Sequence, residues 1–534
     1  RHDQQPAPGL LTLVATGKLE TILAGRERTA FERTVAPRFL ASRHWFGEAG
    51  TPVGSVSVKD FAVFRNGAES RFVLLLLDVE RPGGRVETYF TPLAAEPERE
   101  DGPSLVHAAA RLRRGGSTGL LYEAEACEGF APAILAALRC GERLVTDQGG
   151  TISFLPSPNF AAEPMIEMSD VRRIGAGRRN SSLVLANQMM LKIRRRLDAG
   201  EDPEVEVLPF LTEVAHFSNS PRLLGVVEHV DRAGNRAVLA ILQTFVRNQG
   251  DAWTWTLDAL KRSLEAAALT PWQEGRAGHE EFAAYVAHGG RLGLYAAAMH
   301  KALATPTADP AFKSEALTLD DVRETAEAAR ILAKSAFVRL RTIAASASGD
   351  KRAAADRLLA RRQECLNLIG KLVQKPKGAI KIRIHGDYRL GRLLIVKDDV
   401  VTVDFGQWPS RPADRKRAKT SPLRDVAVML CSFAHVVAAA KTDLARLVPD
   451  PALAVTRLRE ELIEFSQIFI RAYMEAARDS PIFIEDEGTR KHLLVLYLLV
   501  EILHDIASEA EKRPEWIDTS IDSINTILDR MATA

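Results

Sequence analysis

Cysteine is scarce: four residues in 534, at positions 127, 140, 365 and 431, with no CxxC pair and no Cys/His cluster at metal-ligand spacing. That argues against a disulfide framework or a structural zinc site and fits a reducing, cytoplasmic compartment. A surplus of charge is also lacking. The 71 Lys+Arg and 69 Asp+Glu leave a formal +2, which gives no general reason to expect nucleic acid as a partner. Long apolar runs are missing too. The longest are 72–77 (FVLLLL) and 493–500 (LLVLYLLV), short of the roughly 20 residues a membrane helix needs. The first reads as a buried strand, and the second continues into Glu501, His504 and Asp505. No membrane association is therefore expected. The N-terminus is polar, contains proline and carries no signal-peptide pattern. The first residue is Arg1 rather than Met, as expected of a processed chain or one cut from a longer polypeptide.

What is present is enough apolar sequence for large cores: 46% hydrophobic against 26% charged residues. At about 150 residues per domain, the length predicts three or four structural units. Residues 1–27 read as a linker and a short helix. Residues 28–93 carry an aromatic pair, Trp45 and Phe46, and then strands at 56–65 and 72–79. Residues 94–150 read as an acidic loop followed by helix at 131–138. Strand signals return from 165 to about 246, with runs at 182–185 and 189–193 around Asn187 and Gln188, and another at 238–242. After Gly250 apolar residues recur at helical spacing over 257–268, 280–304, 319–340 and 353–374. One β island, at 379–384, 393–396 and 400–405, interrupts the helical half, which resumes at Leu423.

The strongest chemical signal is Ile384-His385-Gly386-Asp387-Tyr388, then a hairpin turning at 397–399, then Val403-Asp404-Phe405-Gly406. The hairpin returns Asp404 toward Asp387. Phosphoryl transfer needs one carboxylate to orient or deprotonate the attacking hydroxyl and another to hold Mg²⁺ on the phosphates. Asp387 and Asp404 have the order for those roles, although two aspartates capping turns would give the same letters. Lys192, on a strand (MMLKI), and Glu206, in PEVEV, could pair to anchor ATP phosphates; a surface ion pair is the plainer reading. The run Gly175-Ala176-Gly177-Arg178-Arg179-Asn180-Ser181-Ser182 precedes Lys192. Its small residues would let the backbone approach phosphate, with Asn180 and Ser181 as donors, or it is only a hairpin. Residues 241–255 (ILQTFVRNQGDAWTW) open the helical half, so the backbone around Gln243, Phe245 and Val246 could meet adenine. From Lys381 to Arg424 there are 11 Lys/Arg against 5 Asp/Glu, a positive field suited to ATP or a solvated loop. Arg424-Asp425 opens a helix, and His300 reads as core or supporting.

On these motifs the chain resembles the bacterial maltokinases, which are similar to aminoglycoside phosphotransferases. The resemblance runs over nearly the whole chain and rests on 39–47 (FLASRHWFG), 194–212 (RRRLDAGEDPEVEVLPFLT), 243–253 (QTFVRNQGDAW), 385–391 (HGDYRLG), 421–426 (SPLRDV) and 513–516 (RPEW). It implies an α+β, bilobal protein-kinase-like fold with a β-rich N-lobe, an N-terminal cap and a mainly helical C-lobe. The expected divisions are 1–27, a cap at 28–93, an intermediate and ATP-binding region at 94–246 and a helical part at 247–534. It implies ATP- and Mg²⁺-dependent phosphorylation of maltose to maltose 1-phosphate for α-glucan (glycogen) synthesis. Asp387 would be the catalytic base, Asp404 a Mg²⁺ ligand, Lys192 the phosphate lysine and Glu206 its partner. The start of the chain looks like the junction where a maltokinase is fused behind trehalose synthase.

The departures from the family pattern cluster at the same site. Arg389 stands where the family has His, and Arg392 where it has the Gln or Asn that serves as a second metal ligand. Gly406 and Trp408 replace two glutamates, and Glu48-Ala49 replaces a Gly-Lys. Arginine cannot ligate a metal. Either Arg392, with Arg178 or Arg179, supplies charge that a second cation would give, or the arginines block the metal. Arg389 and Arg392, and Arg424 by its proximity to the motif, are candidate site residues. The competing functions are a non-catalytic kinase-like module and a kinase for another sugar, an aminosugar or an aminoglycoside.

Overall fold

The computed structural model describes residues 9–46, 53–66, 70–97, 105–162, 170–174, 180–198, 200–269, 280–406, 417–444, 451–509 and 514–532. The chain divides into two compact units, 1–209 with 221–247 and 210–220 with 248–534.

The first unit is built on two sheets. One runs in the order Thr12–Ala15, Ala108–Arg114, Ser117–Glu123, Leu93–Pro97, Ser70–Glu80, Val86–Phe90, Arg196–Leu197, with Val56–Asn66 also paired to Ser70–Glu80. The apolar run at 72–77 lies in its middle, and its two faces go to different cores. Phe72, Leu74 and Leu76 join Phe64, Phe130, Phe154 and Leu191. Val73, Leu75 and Leu77 join Phe31, Phe39, Trp45 and Phe46. A strand covered on both faces has no polar side to show, so its sequence does not alternate. Two expectations fail here. Within 1–27 the expected short helix is present at Leu19–Leu23, but the described part of the expected linker holds the strand Thr12–Ala15, which pairs in parallel with Ala108–Arg114. The stretch at 94–150 contains the strands Ala108–Arg114 and Ser117–Glu123 rather than only loop and helix. Arginines on alternate exposed positions of 108–114 hid the first of these. The expected helix is present as Phe130–Cys140, closed by Gly141 in the left-handed region.

The second sheet is antiparallel, in the order Val171–Ile174, Asn180–Leu185, Met189–Arg194, Arg236–Thr244, Leu223–Val230, Thr151–Pro156, Arg143–Val145. Lys192 sits at its centre, opposite Ser182 on one side and Ile241 on the other.

The second unit is helical. Glu280–Leu303 packs along Pro451–Ala477, and Leu423–Leu444 packs against Glu487–His504. The first pair is close because Gly293 has no side chain: a Cβ there would meet Phe469 O at 2.4 Å. Leu423–Lys441 is long and apolar enough to cross a membrane by composition, yet 83% of that window is buried within the protein. The β island is smaller than its sequence suggests. Of 379–384 only Ile380–Lys381 is strand, paired with Glu315–Ala316. The hairpin Leu393–Val396/Asp399–Thr402 closes through Lys397, which adopts a φ of 56°.

Candidate functional site

In the first unit the site begins at Lys192. Its side chain is buried, and Nζ lies 2.7 Å from Glu204 Oε1. The partner differs from the expected Glu206. Asp202 accepts the Glu204 backbone N–H at 2.9 Å and so caps the helix Pro203–Pro209. Glu204 therefore lies in the first turn, facing the strand. Two residues on is about 200° around a helix, which turns Glu206 toward the other side. Glu204 Oε2 also accepts from Arg194 Nη2 at 2.8 Å, and Arg194 Nε pairs with Asp202 at 2.8 Å.

Ser181 is buried, and its Oγ accepts from Arg195 Nε at 2.9 Å. Asn180 is half-buried and opposite Arg194. Gly175, Gly177, Arg178 and Arg179 lie outside the described residues. Arg195 connects this strand to the first sheet. Its guanidinium sits 4.5 Å above the Trp45 ring and pairs with Glu123 and Glu125. Glu123 also takes Trp45 Nε1 at 3.0 Å, Arg43 Nη1 at 3.3 Å and Arg173 Nη2 at 3.4 Å. Burial alone would raise its carboxyl, but the hydrogen bond from His107 and the charges of Arg195, Arg43 and Arg173 hold it well below the carboxylate range.

At the expected adenine position, Gln243 is fully buried, and its Oε1 has no hydrogen-bond partner among the described residues. The Phe245 N–H donates to Gln188 O at 2.8 Å, so that amide is already committed. Val246 is half-buried.

In the second unit the loop carrying Asp387 is fastened from beneath. Asp425, at the start of the helix Leu423–Leu444, accepts the N–H groups of His385 at 2.8 Å and Gly386 at 2.9 Å. His300 Nε2 lies 3.1 Å from the same carboxylate, and its Nδ1 lies 3.0 Å from Tyr473 Oη. Burial opposes the Asp425 charge, but His300, His385 and the Gly386 N–H outweigh it and lower its pKa. His385 is oriented by its own two contacts. Nδ1 accepts from Asp387 N–H at 3.2 Å, and Nε2 lies 3.0 Å from Val403 O, a carbonyl that can only accept. Burial lowers the His385 pKa, in keeping with that neutral form. Gly386 needs the absence of a Cβ, because its φ is 88°. Asp404 adopts φ 64° without that freedom, the kind of conformation retained where the surroundings over-determine it.

Asp387 and Asp404 do come together, through Arg392. Its Nη1 lies 2.7 Å from Asp404 Oδ2, and its Nη2 lies 3.1 Å from Asp387 Oδ2. Arg389 Nε lies 2.5 Å from Asp387 Oδ1. The expected Mg²⁺ position at Asp404 does not fit this donor set. A guanidinium already bridges the two carboxylates. Arg424 pairs with Glu501. Sequence reasoning missed the neighbouring carboxylates: burial opposes the charge of Arg389, but Asp387 first and then Asp505 and Glu501 outweigh it and raise its pKa, and Asp505 Oδ2 pairs with His435 Nε2 at 2.9 Å. His435 stacks on Trp516 at 3.9 Å, and Trp516 lies 6.2 Å from Trp253. Trp253 and Trp516, far apart in the sequence, thus meet within the second unit.

Comparison with known proteins follows the same outline. Residues 39–126 match the model of the maltokinase N-terminal cap domain. A glucosamine kinase of Streptacidiphilus jiangxiensis is 25% identical over 350 residues, covering 63% of this chain and 73% of that protein. A solved glucosamine kinase in complex with glucosamine, ADP and inorganic phosphate has a TM-score of 0.58 at 19% identity, over 92% of this chain and 99% of that one. Another glucosamine kinase structure, crystal form B, gives 0.57 at 19% identity, over 90% and 96%. The class these define is the kinase-like fold: β-rich sheets, then helices. Within that class, this chain carries a cap of the maltokinase type.

Proposed function

We propose that the protein is a nucleoside-triphosphate-dependent kinase that phosphorylates a hydroxyl group of a sugar or aminosugar. The observation that carries this reading is Asp387, held on a loop that Asp425 and His385 fix from behind and paired across Arg392 with Asp404. A carboxylate immobilised in this way can accept a hydroxyl proton as the hydroxyl oxygen bonds to the γ-phosphorus. The bond from that phosphorus to the bridging oxygen then breaks, and the nucleoside diphosphate leaves. Lys192, anchored by Glu204, places a fixed charge for the phosphates. The chemistry requires only orientation and charge from the protein, and both are built in.

Maltose, giving maltose 1-phosphate for α-glucan synthesis, is the first acceptor to test, because the cap is of the maltokinase type. An aminosugar is the second, favoured by the glucosamine kinases among the similar proteins. The test is product identification by phosphorus NMR after incubation with ATP and maltose, glucose, glucosamine or trehalose. A sugar phosphate from one of them supports the reading. No phosphate transfer to any of them, with nucleotide still bound, supports a non-catalytic module instead.

A further inference from the structure

Two carboxylates that are to act on a polyanionic nucleotide need positive charge between and around them. In a kinase that charge ordinarily comes from metal ions bridging protein and phosphate. Here it is already covalently part of the chain. Arg392 spends three of its N–H donors on the two aspartates: Nη1 on Asp404 Oδ2 at 2.7 Å, and Nε and Nη2 on Asp387 Oδ2 at 3.2 and 3.1 Å. Arg389 Nε stands beside the other Asp387 oxygen as an ion pair without hydrogen-bond geometry. The four side chains are two acids and two bases, formally neutral together. The guanidinium of Arg392 has five donors in a rigid fork, so donors remain beyond the three in use. Its side chain is 31% exposed, so those donors are not sealed in the core.

A divalent cation bridging Asp387 and Asp404 would have to displace this guanidinium from both carboxylates and overcome repulsion from its charge. We propose that Arg392 is the resident cation of the site. It holds the two carboxylates, offers its remaining donors to phosphate oxygens and excludes a protein-held divalent cation from the bridging position. Nucleotide binding is then indifferent to divalent metal. The proposal rests on the kinase reading for its ligand, and its test does not rest on turnover.

Mn²⁺ is the probe, with the full chain and no nucleotide, read by electron paramagnetic resonance. The wild type should bind none at the aspartates. Arg392→Gln, which offers an amide oxygen in place of a cation, should gain one Mn²⁺ that disappears again in the double variant with Asp404→Asn. A fluorescent ATP analogue gives the second readout. EDTA should change its Kd by less than about threefold for the wild type and by more than about tenfold for Arg392→Gln. Circular dichroism establishes that each variant is folded. The wild-type arms need no variant, and Arg392→Lys, which keeps the charge, should remain without Mn²⁺. Wild-type Mn²⁺ binding that Asp404→Asn abolishes would overturn the proposal. So would a folded Arg392→Gln that gains no Mn²⁺, or wild-type nucleotide binding lost in EDTA. Failure to phosphorylate any sugar, with these metal results intact, would overturn the kinase reading alone.

Discussion

Glu204 holds Lys192 across 2.7 Å in a buried setting, while Glu206 occupies another face of the same short helix. Removing one partner of a buried pair leaves the other charge uncompensated, at a cost of about 3–5 kcal/mol. Glu204→Gln should therefore lower the urea midpoint and weaken nucleotide binding about tenfold or more, with Lys192 no longer fixed. Glu206→Gln leaves the Lys192–Glu204 pair in place and should weaken nucleotide binding by less than about twofold. Equal effects of the two variants would contradict the assignment.

Asp425 should behave as a positioning residue. It satisfies two backbone N–H groups of the loop bearing Asp387 and also meets His300. Each buried group left unpaired costs about 1–3 kcal/mol. Asp425→Ala should destabilise the protein and lower kcat far more than it changes the KM for ATP. Asp425→Asn keeps one acceptor oxygen and should recover part of both. A variant with altered nucleotide KM and unchanged kcat would place Asp425 in a different role.

Acid should destabilise the protein in two windows. His288 lies beside the Trp255 ring, and its Nε2 has no partner among the described residues. Burial first, and then Arg291, push it from the ordinary 6.5 down to about 3. The unfolded chain takes up a proton below 6.5 that the folded chain refuses. Stability is therefore complete above that pH and falls as the pH drops toward 3. The depressed Glu123 carboxyl acts in a lower window: its contribution is present above its ordinary 4.5 and lost as pH falls further. His288→Phe keeps the ring contact and should flatten the upper window by on the order of 1–2 kcal/mol between pH 6.5 and 5. Glu123→Gln should flatten only the lower one. Urea midpoints at pH 8, 6.5, 5 and 4 separate the two.

Asp505 is committed within the protein. It acts on Arg389 and pairs with His435, itself stacked on Trp516. Losing a charged hydrogen bond to an acceptor group costs about 1.5–3 kcal/mol. Asp505→Asn should therefore lower the urea midpoint by that order of stability while leaving the KM values for sugar and ATP within about twofold. A raised acceptor KM at unchanged stability would contradict this structural role.

Much of this was legible in the residues because it is local. The His385–Asp387 loop, the hairpin after it and the strand carrying Lys192 are each set by a few consecutive side chains and their turns. The partner of Lys192 was not legible, since PEVEV offers two glutamates and only the cap by Asp202 fixes which one faces the strand. The strand at 108–114 was missed because its arginines lie on an exposed face of the sheet, though both of its edges are paired. The cluster of Glu501, Asp505, His435 and Trp516 spans the helices Leu423–Leu444, Glu487–His504 and Pro514–Ala532 and the turn at Asp505–Glu509. Only packing brings those residues together. Arg392 was visible as a departure, but its bridge between two aspartates depends on the return of the hairpin.

The most direct measurement is single-turnover ADP formation with maltose and with glucosamine, wild type against Asp387→Asn. The account predicts ADP formation that requires one of these sugars and falls about 10²–10⁴-fold in the variant, with nucleotide affinity nearly unchanged. Sugar-independent ADP formation, or a variant as fast as the wild type, would contradict it.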